Sequence, residues 1–124
     1  MVNIQIQESE AFDRLGIIEV KIFNTNDLQI KTELNRQKLD LMAEINKSIG
    51  YDKARAVYCS KEYTDLYNVN FELFDAVDKA KKDEVKASFV DELVYERHLA
   101  KKELQNKHFG NEFNEIKIGY LDKQ

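Results

Sequence analysis

The chain has no proline in 124 residues and only four glycines, Gly16, Gly50, Gly110 and Gly119. Proline is the strongest helix breaker, because it lacks the N–H that the helix ladder needs and its ring clashes with the preceding turn. Without it, only glycines and capping residues stop a helix. The expected fold is therefore mainly α: an antiparallel helical bundle of about four helices. A length of 124 residues supports one core and not two, so 1–124 reads as a single helical-bundle domain.

The segment from Ser9 to Phe23 sets the arrangement of the others. Its apolar residues, Phe12, Leu15, Ile17, Ile18, Val20, Ile22 and Phe23, cover most of a helix circumference. A helix apolar all round is buried by neighbours on several sides. Glu10, Asp13, Arg14, Glu19 and Lys21 are threaded through it. Charges on a central helix must find partners or reach water.

The rest follows in order. Val2 to Ile6 alternates apolar and polar, as a half-buried strand does. Ser9 suits the N-cap of the first helix, which runs to about Asn24. Thr25 and Asn26 suit the cap of a second helix, about Asp27 to Ile49, with a stripe of Ile30, Leu34, Leu41, Ile45 and Ile49 widened by Leu39 and Met42. Gly50 suits its left-handed stop. A third helix is expected from an Asp52 cap to about Ala80, with poor propensity between Val57 and Asn70 that marks Ser60 as a point of breakage. A fourth runs from an Asp83 cap, about Glu84 to Phe109, with Phe89, Val90, Leu93, Val94, Ala100 and Leu104 as its core side. The tail Glu115 to Leu121 alternates again, so the N- and C-terminal segments are expected to form a small two-stranded β ribbon.

Composition narrows the function. Hydrophobic residues are 43% and charged residues 34%, as in a soluble globular chain. A net charge of −4 argues against non-specific nucleic-acid binding, so no nucleic-acid partner is expected. No secretory leader and no apolar run of about 20 residues is present, so no membrane partner is expected. The single cysteine, Cys59, fits a reducing compartment, and the localisation expected is cytoplasmic. Cys59 reads as a small buried or half-buried thiol.

Few residues carry chemistry. His98 and His108 stand ten apart on one helix, about 15 Å along its axis, too far to share a metal. Glu72, Asp75 and Asp78 recur every three residues, and such a row can hold Mg²⁺. A solvated or salt-bridged face is the commoner outcome, so no cofactor is expected, and Mg²⁺ is the only cation such a row suggests. Arg97 and Lys101 are four apart and stand one above the other beside the apolar stripe. They suit an anion clamp or, more often, partners for Asp13, Glu19, Asp75 or Asp78. Asn70 interrupts the stripe Leu66, Val69, Leu73, where a polar residue more often fixes helix register than binds a ligand. The candidate polar cluster is thus Asp13, Glu19, Asn70, Asp75, Asp78, Arg97 and Lys101, with no catalytic residue identified.

Two blocks of the chain resemble a family. Ser9-Glu10-Ala11-Phe12-Asp13-Arg14-Leu15-Gly16-Ile17-Ile18-Glu19-Val20-Lys21 is similar to the opening signature of a small uncharacterised bacterial domain, whose first helix reads Gly-Glu-Leu-Ile-Asp-Lys-Leu-Thr-Ile-Leu-Glu-Ile-Lys. Val69-Asn70-Phe71-Glu72-Leu73-Phe74-Asp75-Ala76-Val77-Asp78 resembles its Val-Asn-x-x-Leu-Trp-Asp-Ile-Glu-Asp, with Phe74 in place of tryptophan and Val77 in place of glutamate. Looser matches are Arg97, Lys101 to Gln105, and a tail with Glu115, Lys117 and Tyr120, where Ile118 and Gly119 alter the spacing. The family has no established activity. Its members are often encoded beside surface-polysaccharide glycosyltransferases, so the resemblance implies an accessory role there and names no catalytic residue.

The resulting expectation is a bundle that works through protein–protein contact, as a homo-oligomer or with another protein, and not as an enzyme. Seven Phe and six Tyr are more aromatic residues than one thin bundle can bury, and tyrosine suits interfaces. The second expectation is a small-molecule binding protein or enzyme, for a sugar phosphate or nucleotide, that uses the polar cluster inside the bundle. The third is a phage accessory protein that binds a host factor, which the small size and AT-rich codon usage suggested by abundant Lys, Asn and Ile permit.

Overall fold

The computed structural model describes residues 2–110 and 115–120, with side chains from 6 to 110. Five helices are present among them. The elements are β1 (Val2–Gln7), α1 (Glu8–Asn24), α2 (Leu28–Ile49), α3 (Tyr51–Tyr58), α4 (Lys61–Lys81), α5 (Ala87–His108) and β2 (Glu115–Tyr120). The backbones of β1 and β2 run antiparallel, with Val2 opposite Tyr120 and Gln7 opposite Glu115. The alternation expected of the side chains in residues 2–5 and 115–120 lies outside the described side chains.

The fifth helix arises because the expected third helix is two. Its first turns, α3, stop at Cys59, whose N–H still reaches the Arg55 carbonyl at 3.0 Å. Ser60 then turns extended (φ −82°, ψ 161°) and its hydroxyl accepts from the Tyr63 N–H at 3.2 Å, which starts α4. A serine at this place satisfies an N–H that the new helix would leave unpaired. The break lets Tyr58 and Tyr63 approach each other, with ring centroids 5.0 Å apart.

Other boundaries move for similar reasons. Asp27, and not Thr25 or Asn26, caps α2: its Oδ1 accepts from the N–H groups of Gln29 (2.9 Å) and Ile30 (3.1 Å). Ser9 lies inside α1, which begins one residue earlier at Glu8. Asp83 does not cap α5. It takes a left-handed turn (φ 59°) that folds the end of α4 back on itself, and α5 starts at Ala87. Gly50 ends α2 at φ 88°, a conformation that would strain any residue with a Cβ.

The centre of the molecule is α1. It packs against α2, α4 and α5, and Ala11, Phe12, Asp13, Leu15, Gly16 and Val20 are buried. Phe12 and Leu15 join Leu41 and Ile45 of α2, Val57 of α3, Leu66 of α4 and Leu104 of α5 in one core. Each of these large side chains contributes about 1.5–3 kcal/mol by leaving water. Several residues assigned to core stripes are on the surface instead: Ile30, Leu39, Phe89 and Val94. Cys59 is exposed too, because it sits at the outer corner of the α3–α4 break. No helix among the described residues is long and apolar enough to cross a membrane.

Candidate functional site

α1 carries two polar positions six residues apart, Asp13 and Glu19, which face different neighbours. Asp13 is fully buried between α4 and α5. Asn70 Nδ2 donates to its Oδ1 at 2.8 Å. Arg97 Nε lies 3.1 Å from Oδ1, and Arg97 Nη2 donates to Oδ2 at 2.5 Å. Lys101 Nζ stands 3.9 Å from Oδ2 and 2.5 Å from Glu10 Oε2. Two carboxylates of α1 and two cations of α5 therefore neutralise one another, with Asn70 of α4 bonded into the same network and Arg14 beside Glu10 at 3.6 Å. The hydrogen bond to Asp13 raises the Arg97 guanidinium above its ordinary value, with burial acting against it.

Glu19 faces the other side. Its carboxylate accepts from the Tyr58 hydroxyl at 2.6 Å and from the Tyr63 hydroxyl, and Lys38 Nζ of α2 lies 3.2 Å away. Burial, and after it the hydrogen bond to Glu19, raises both phenols well above the usual tyrosine value. They are donors at all ordinary pH and not candidate bases. Gly16 lies between the two clusters. A Cβ there would stand 3.6 Å from Asn70 Nδ2 and 3.7 Å from the Tyr63 hydroxyl, so α4 lies close against α1 at this glycine.

The seven candidate residues do not form one site. Asp13, Asn70, Arg97 and Lys101 meet. Glu19 belongs to a second cluster. Asp75 and Asp78 lie on the exposed side of α4, where they pair with Lys79 (3.0 Å) and Lys82 (3.1 Å) one turn on. Among the described residues, no three His, Cys, Asp or Glu side chains are placed to hold a metal ion.

Further participants lie outside the seven candidates named from the sequence. Glu10 completes the ion pairs, and its spacing of three from Asp13 was the available signal. Glu8 is fully buried: its Oε1 accepts from Gln105 Nε2 at 3.2 Å, while Oε2 has no hydrogen-bond partner among the described residues. Gln105 Oε1 in turn accepts the Ser9 N–H at 3.0 Å, which ties the start of α1 to the end of α5. His108 Nε2 and Glu62 Oε1, 2.9 Å apart, join the same end of α5 to the start of α4.

An open cleft of about 700 Å³ lies beside Glu19, walled by α1, by Lys31, Asn35 and Lys38 of α2, and by Thr64 and Tyr67 of α4. A smaller one of about 320 Å³ opens between α2 and α3 among mainly apolar side chains, including Met42 and Ala54. The chain matches no family model, no curated protein and no solved structure.

Proposed function

We propose that this protein acts through protein contact and not catalysis, as a helical scaffold that pairs with a second copy of itself along the outer face of α5. The observation that carries this reading is the outward stripe Glu92, Tyr95, Leu99, Lys102. These residues recur at three- and four-residue spacing, so they share one face. All four are exposed, and Tyr95 and Leu99 keep 62% and 46% of their surface in water. Large apolar side chains aligned on a face that no other described element covers mark a contact surface.

The occupant follows from the charge order. The stripe is acidic at its start and basic at its end. A second α5 laid antiparallel across a twofold axis near Arg97 puts Glu92 opposite Lys102, and Tyr95 opposite Leu99. A twofold contact must be self-complementary in this way. One helix face is a small interface, so the dissociation constant expected is on the order of tens of micromolar.

The interior supports the non-catalytic reading. Both oxygens of Asp13 are engaged, and the groups around it are used by one another. Such a network fixes how helices meet. A role accessory to surface-polysaccharide assembly rests on the resemblance of the Ser9 to Lys21 block. Sedimentation equilibrium from about 5 μM to about 1 mM tests the pairing: a monomer–dimer equilibrium that Leu99→Glu abolishes supports it. A monomer across the whole range rejects it.

A further inference from the structure

The cleft beside Glu19 lies on the α1–α2 side of the molecule, away from the outer face of α5, and its chemistry is independent of self-association. On α2 the inward stripe is apolar over Leu34, Leu41 and Ile45, which are buried. The neighbouring stripe reads Lys31, Asn35, Lys38, Met42, at four-, three- and four-residue spacing. Only Met42 joins the core. Its three polar members line the cleft, where α2 stands away from α1. A polar stripe turned toward a concave wall has a use other than packing.

The unspent hydrogen-bonding groups define what fits. Lys31 has no carboxylate partner among the described residues. Lys38 donates to Glu19 and keeps two N–H groups. Asn35 uses its amide N–H on the Lys31 carbonyl at 3.0 Å, so its Oδ1 remains an acceptor. With Glu19 counted, the two lysines leave the cleft one positive charge in excess. Lys31 and Lys38 stand about 10 Å apart along the helix, so both can approach one anionic group from opposite ends. Phe23 and Tyr67 supply ring surface on the far wall. Both pack on Phe71, with centroids at 5.3 Å and 6.3 Å, which holds them in place.

We propose that this cleft binds a phosphate monoester carried on a flat ring, of the nucleoside monophosphate class, with Lys31 and Lys38 on the phosphate, Phe23 and Tyr67 against the ring, and Asn35 on a polar edge. A volume of about 700 Å³ lies within the usual range for small-molecule sites. Glu19 acts as a positioning residue: it holds Lys38, Tyr58 and Tyr63 in place. No bond is made or broken.

A two-dimensional ¹⁵N NMR titration of the full chain with adenosine 5′-monophosphate tests this, with adenosine and inorganic phosphate as separate arms. The proposal expects saturable shifts of the Lys31, Asn35, Lys38 and Thr64 amides, about tenfold weaker binding by Lys31→Gln, and about tenfold weaker binding of either fragment alone. The Lys31 side chain makes no ion pair or hydrogen bond among the described residues, so Lys31→Gln should retain the wild-type spectrum elsewhere. The proposal is overturned by no saturation up to about 10 mM, by shifts that map to another face, by unchanged affinity in Lys31→Gln, or by phosphate binding as tightly as the nucleotide.

Discussion

Arg97 of α5 reaches through the bundle to Asp13 of α1 and places Nη2 2.5 Å from a carboxylate oxygen that has no contact with water. The pair joins the first and last helices, 84 residues apart in sequence. Removing one member leaves the other uncompensated, which in a buried pair costs about 3–5 kcal/mol. Arg97 is about a quarter exposed, so its own removal belongs at the lower end. Arg97→Ala is expected to lower unfolding stability by about 3 kcal/mol, and Asp13→Leu with Arg97→Met to recover most of it. Urea denaturation of the two variants checks this.

Gly16 gives a prediction of opposite sign. It sits within α1, where glycine is about 1 kcal/mol worse than alanine. The nearest atoms to an added Cβ are at ordinary contact distance. Gly16→Ala should therefore raise stability by up to about 1 kcal/mol. Gly16→Leu should destabilise by about 1–3 kcal/mol, because the larger side chain meets Asn70 and Tyr63. Thermal unfolding of both variants distinguishes a close approach from a simple helix position.

The Tyr63 hydroxyl, buried against Glu19, links stability to pH. Its folded-state pKa is raised above the unfolded value near 10. The unfolded chain therefore loses this proton first as pH rises, and stability falls from about pH 10 upward. Below about pH 10 the contribution is fully present. One retained proton gives a slope of about 1.4 kcal/mol per pH unit. Tyr63→Phe should remove about 1.4 kcal/mol of the total decline in unfolding free energy between about pH 9 and 11.

Ser60 starts α4 after the break. Ser60→Ala should cost about 1 kcal/mol in denaturant unfolding, as removal of an N-cap does.

The central place of α1 was readable in the sequence, because apolar residues surround it on most sides. The weak propensity from Val57 onward marked the break at Ser60. The single polar cluster was not correct, and helix phase explains why. Asp13 and Glu19 are six residues apart, about 120° around the helix, and cannot face one site. Asn70 and Asp75 are five apart, about 140°, so an inward Asn70 sends Asp75 outward. Phase alone does not choose which side turns in. The burial of Tyr63, Leu66 and Asn70 makes that choice for α4. On α5 the apolar residues are spread around the helix, with Leu93 and Leu104 inside and Tyr95 and Leu99 outside, so no stripe separated core from surface. Glu8 escaped notice because a carboxylate in the first turn of a helix is ordinary at a surface, and here the end of α5 covers it.

Charge reversal on α5 tests the self-pairing most directly. Glu92→Lys and Lys102→Glu should each weaken the dimer at least about tenfold in sedimentation equilibrium, since each sets like charges opposite one another twice. The double variant restores opposite charges across the twofold axis and should return to near wild-type association. A double variant as weak as either single one, or single variants that associate normally, contradicts antiparallel pairing of this face.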